Sequence, residues 1–156
     1  MALITLNKLA LPTGSVLQVV RKYTADTGHI DTTSSSLVGT GFSQAITPTV
    51  VGSLLIVHFN TTMTDAGGDA TMFSRMYYKI GSGSFAAMPS TDEYHIGYMA
   101  TSTNRYAPWV NSSSITTTST DAYTFEPYFK RQSGSTAARF AHDKSSLGMT
   151  IFEISQ

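Results

Sequence analysis

Cysteine is absent from this 156-residue chain. That excludes a disulfide framework and any thiolate metal site. Small extracellular modules usually rely on bridges, so the absence fits a protein that folds in a reducing cytosol and is exposed outside the cell afterwards. Charge is scarce as well. Asp, Glu, Lys and Arg make up 13% of the chain, about half the share usual for a globular domain. The ten cations match the ten carboxylates, for a formal net charge of zero. Coating a nucleic acid requires a surplus of Lys and Arg, and so does a polybasic membrane contact. Neither nucleic acid nor membrane is therefore an expected partner. No apolar run approaches the length of a membrane span. The opening "MALITLNKLALP" carries one Lys and too short an apolar stretch for a secretory signal. Apolar spacing of helical period is missing too.

Hydroxyls fill the space that charge leaves. Ser and Thr number 43. They keep a surface wet without charge, and Thr favours strands. A surface so poor in charge is weakly protected against association, which suits a chain held in a permanent assembly.

The apolar residues recur with period two. In "SLLIVHFN" (53–60), Leu55, Val57 and Phe59 share one face, and Leu54, Ile56 and His58 the other. Both faces are mostly apolar, which predicts a central strand packed on both sides. In "AYTFEPYFK" (122–130), Tyr123, Phe125 and Phe129 share a face; in "LGMTIFEIS" (147–155), Leu147, Met149 and Ile151 oppose Thr150, Phe152 and Ile154. Further strands are expected at 15–23, 37–46, 70–80, 84–88, 94–100 and 136–142. Clusters such as "TADTG", "TDAGGD", "GSGS" and "RQSGS" separate them as turns. The Ser/Thr-rich stretch 105–121 is the least regular and reads as an extended crossover or a loop. The expected fold is an all-β, jelly-roll-like antiparallel β-sandwich of about eight strands with little or no helix. An immunoglobulin-like sandwich is the alternative. The expected division is an N-terminal arm (1–13) and a single sandwich domain (14–156).

Motifs of catalysis are missing. The four histidines, His29, His58, His95 and His142, show no HxH or HExxH spacing. His58 alternates with apolar neighbours and reads as a hydrogen-bonded core or interface imidazole. Asp65 and Asp69 flank "AGG" without the alternate ligands of a calcium loop. No GxSxG elbow exists, and "GSGSF" (81–85) lacks the strand–turn–helix setting. The expectation is a protein with no enzymatic activity, no metal and no cofactor.

Two groups of residues are candidates for contacts. Leu3, Ile4, Leu6, Leu9 and Leu11 give the arm five large aliphatics that water would expose, so they are expected to touch another copy or the assembly. The alternative is an added edge strand on the chain's own sheet. In "NRYAPWVN", Asn104, Arg105, Tyr106, Trp109 and Asn111 combine aromatic faces with amide and guanidinium groups, as a glycan or receptor site would. The alternative is a loop whose aromatics cover one end of the core.

The succession "MALITLNKLALPTGSVLQVV", "AITP" before "SLLIVHF", a Ser/Thr-rich crossover before "YTFEPYFKRQSG", and a closing "SSLGMTIFEIS" resembles small β-sandwich virion proteins of tailed bacteriophages. These serve as head decoration (cement) proteins, head fibres and tail-fibre tips, and many are trimeric jelly rolls. The resemblance implies a virion component assembled in the bacterial host cytoplasm. Its partners would be its own copies in a homotrimer and the major capsid protein or another virion protein. A decoration protein that stabilises the head shell is the first expectation. A receptor- or glycan-binding tail-fibre or tailspike tip, meeting a host-surface glycan, is the alternative.

Overall fold

The computed structural model describes residues 11–25, 28–65, 70–89, 94–99, 106–141 and 146–156. Among them are twelve strands: β1 (Val16–Ala25), β2 (Ile30–Thr32), β3 (Val38–Gly39), β4 (Gln44–Ile46), β5 (Leu54–Asp65), β6 (Ala70–Ile80), β7 (Ala86–Ala87), β8 (Tyr94–Met99), β9 (Tyr106–Thr116), β10 (Tyr123–Gly134), β11 (Ala138–Phe140) and β12 (Ser146–Ile154). No helix occurs among the described residues.

All pairings are antiparallel, and the strands form two sheets of six. Four lanes are each split in two, so the twelve strands occupy eight lanes. In the first sheet the order is β1/β2, β11/β12, β5, β9; in the second it is β3/β4, β10, β6, β7/β8. Strands distant in sequence thus lie side by side, as in two interleaved Greek keys. This is the jelly-roll order and not the immunoglobulin one.

The core follows from the alternation. Leu55, Val57 and Phe59 of β5, Leu147, Met149 and Ile151 of β12, and Trp109 of β9 point from the first sheet onto Met72 and Met76 of β6 and Tyr123, Phe125 and Phe129 of β10. Phe59 is its aromatic hub. Its ring lies 4.8 Å from Trp109, 5.7 Å from Phe140 and 5.9 Å from Phe42.

Proline and glycine explain where the second sheet breaks. Pro127 sits inside β10, between β6 and the β3/β4 lane. A proline in a central strand deletes a ladder hydrogen bond. Its carbonyl still accepts from the Thr40 N–H (3.2 Å), and its missing donor faces the gap that parts β3 from β4. Gly41 occupies that gap at a φ of 74°, a left-handed value that other residues adopt at a cost. The expected continuous strand 37–46 is therefore two short ones.

Two other expectations are corrected. The stretch 105–121 is not a loop: 106–116 is a full strand, paired along its length with β5. Nor is β5 packed on both sides. Its second face, Leu54, Ile56 and His58, is half-buried to exposed and meets no other layer among the described residues. His58 is exposed and lies edge-on to the Phe152 ring at 5.7 Å, so it is not a core imidazole.

Candidate functional site

The outer face of the first sheet is built from the strand positions that the core does not use. Rows run across β1, β12, β5 and β9. One is Val16, Ile154, Leu54 and Thr116; the next is Val19, Phe152, Ile56 and Ser114; then come Arg21, Thr150, His58 and Ser112. Val16, Val19 and Tyr23 are 54%, 51% and 56% exposed, unusual for apolar side chains lying together. Arg21, reaching over the Tyr23 ring, is the one formally charged side chain on this face of those four strands among the described side chains. Among the described residues β1 is also the sheet's edge, paired only with β12. An open edge beside an apolar face is a template for association.

The edge is pinned where the described chain begins. Gly14 N donates to the Ser155 carbonyl (2.9 Å), Ser155 N to the Ser15 carbonyl (2.9 Å), and Ser155 Oγ to the Pro12 carbonyl (2.7 Å). Residues 12–15 are thereby stitched to the end of β12. Leu11, with Leu17, Val50 and Val51, lines a shallow cleft beside them. Of the other arm candidates, Leu3, Ile4, Leu6 and Leu9 lie outside the described residues.

Beneath that cleft is a buried carboxylate that sequence reading missed. Glu153 follows Leu147, Met149 and Ile151 on the inward row of β12 and is fully buried. Its Oε1 accepts from Thr49 N (2.8 Å), Val50 N (3.3 Å) and Ser53 Oγ (2.8 Å); its Oε2 accepts from Gln18 Nε2 (2.7 Å); Thr49 Oγ1 reaches both. Burial pushes this carboxyl up, but the hydrogen bonds from Gln18, Ser53 and Thr49 outweigh it and hold the group below the usual glutamate range. The carboxylate fastens the 47–53 loop between β1 and β12. The in-phase spacing 147, 149, 151, 153 is the signal that could have found it.

The candidates around 104–111 scatter. Asn104 and Arg105 lie outside the described residues, as does the Tyr106 side chain. Trp109 is 4% exposed, with its ring against Phe59 and Phe140. Asn111 is buried and accepts from Ser113 Oγ. Both point into the sandwich, because the strand alternation of β9 aims 109, 111 and 113 at the core. Trp109 and Asn111 thus occupy core-facing positions of β9. No group of three or more metal-ligating side chains occurs among the described residues.

The described residues therefore define an eight-lane jelly-roll sandwich with an apolar outer face that no other described residue covers. No protein-family model matches the chain. No curated protein sequence matches it. Among solved structures, a chain of the infectious bursal disease virus Gx strain is similar at 16% identity and a TM-score of 0.49, over 96% of this chain and 36% of that one. The VP2 subviral particle of the same virus is similar at 14% identity and a TM-score of 0.45, over 99% and 46%. The CBM22-1 xylan-binding domain of Paenibacillus barcinonensis Xyn10C is similar at 10% identity and a TM-score of 0.41, over 94% and 99%. The chain spans less than half the length of the viral chains.

Proposed function

We propose that this chain is a structural virion protein, a capsid decoration protein that forms a homotrimer and binds the major capsid protein of a phage head. The observation that carries the reading is the uncovered apolar face of β1, β12 and β5. A second copy is its occupant. The face holds a single charge, and the whole chain is neutral, so like faces meet with little electrostatic repulsion. Copies joined around a closed axis cover the face and its open edge together. The resemblance to phage decoration proteins and the absence of cysteine support the setting, a virion assembled in the bacterial cytoplasm. The role is structural and involves no catalysis.

Light scattering on the purified protein tests the assembly. A mass near three times the 16.8 kDa of the chain is expected. A stable monomer at micromolar concentration contradicts it. Densitometry of purified particles separates decoration from the tail-fibre alternative, because a shell protein follows the head lattice and a fibre is present in a few multiples of three.

A further inference from the structure

The outer face of the second sheet has different chemistry. Phe73, Arg75, Tyr77 and Lys79 of β6 stand opposite Lys130, Tyr128, Glu126 and Thr124 of β10. Tyr77 and Tyr128 stack at 4.0 Å, and Phe85 leans on Tyr128 at 5.9 Å. Lys79 lies over the Phe85 ring at 5.1 Å and Lys130 over Phe73 at 5.5 Å. Half-buried Arg75 lies between these ends. Its Nε is buried without a hydrogen-bond partner, and neither Arg75 nor Lys79 forms an ion pair with a described residue. A buried guanidinium donor left unmatched is costly; the remaining donors of this half-buried guanidinium, beside the stacked rings, are the ones an outside acceptor can reach.

The floor next to the rings is backbone. A Cβ at Gly39 would lie 2.5 Å from Glu126 Oε1 and 3.2 Å from the Tyr128 ring. The absence of a side chain there keeps β3 low and lets the Tyr128 ring lie over it. Glu126 Oε1 accepts from Gly41 N at 2.7 Å, which fixes the carboxylate. Burial, and then the Glu126 and Tyr77 charges, push the Tyr128 phenol up, so it remains a neutral donor.

We propose that this face binds an acidic glycan, with sugar rings against the Tyr77–Tyr128–Phe85 ridge and a uronate carboxylate on Arg75. Aromatic faces take the apolar side of a pyranose, and a guanidinium takes a carboxylate through paired hydrogen bonds. Charge selects the ligand class. On this face Arg75 and Lys79 have no ion-pair partner among the described residues and no polybasic surface surrounds them, which suits a carboxylate-bearing glycan and not a nucleic acid. The two sheets are opposite sides of the sandwich. When the first face is covered by assembly, this one points away from it.

Affinity electrophoresis of the full chain through gels holding polygalacturonate, alginate or hyaluronate tests the proposal, with xylan and dextran as neutral controls. Retardation by at least one uronate polymer and by neither control is expected. Arg75→Gln and Tyr128→Ala should each weaken it at least tenfold at unchanged melting temperature, and Tyr128→Phe should retain it. Migration unaffected by all three uronates overturns the proposal, as does equal retardation by xylan or undiminished binding in Arg75→Gln. Because the assembly face lies on the other sheet, a monomeric protein that still binds uronate would sink the trimer reading alone.

Discussion

Glu153 shows how one side chain can secure an end of the sandwich. A fully buried carboxylate without a cation is tolerable only because neutral donors surround it. Glu153→Ala should destabilise the fold by about 2–4 kcal/mol, since hydrogen bonds to a charged group contribute about 1.5–3 kcal/mol each and the stranded donors of Thr49 and Ser53 add their own cost. Chemical denaturation measures this. The pH dependence has a definite sign. The folded carboxyl titrates below its unfolded value, so its contribution is complete above the ordinary glutamate range and disappears as pH falls through the depressed value. The wild-type melting temperature should fall on acidification through that window, and Glu153→Gln should flatten the slope. Trp109→Ala should cost about 3–5 kcal/mol, as expected for truncating a core aromatic. A loss below about 1 kcal/mol would contradict its place beside Phe59 and Phe140.

At the scale of elements, legibility in the sequence depended on contrast between neighbouring positions. β6 was readable at its full extent, 70–80, because apolar and polar residues alternate beneath clear turn signals. β9 was not. Its inward row, Trp109, Asn111, Ser113 and Ile115, and its outward row, Ser112, Ser114 and Thr116, are both rich in small polar residues, so the period of two carries no hydropathy signal. The β3/β4 break was hidden for another reason: it depends on the contact of Gly39 and Gly41 with Glu126, some 85 residues away in sequence. Of the candidate sites, the apolar outer face was visible in β5, where it was read as packed on both sides, and in β12. The ridge of Tyr77, Tyr128 and Phe85 exists only once β6, β10 and the β7 lane are side by side. The N-terminal element yields a separate prediction. Because residues 12–15 are hydrogen-bonded to β12, deleting 1–10 should leave the sandwich folded with an unchanged β-type far-UV spectrum, while trimer formation or particle attachment is lost. A truncated protein that still trimerises and attaches would show that the arm has no part in either.

At the scale of the molecule, the jelly roll separates two chemistries. One sheet presents Val16, Val19 and Tyr23 on a nearly uncharged β1–β12–β5 surface, with the Arg139–Asp31 ion pair at its β11/β2 end, and the other presents rings and cations. Replacing Val19 and Tyr23 by Lys on the first face should release monomers without unfolding the chain, since neither side chain enters the core. Light scattering would then read one chain mass in place of three. The measurement that bears most directly on the central claim is the number of copies in purified particles, by densitometry against the major shell protein. A structural decoration role predicts tens to hundreds of copies in a fixed ratio to the shell subunits. Absence from the particle, or a few copies in multiples of three, contradicts it.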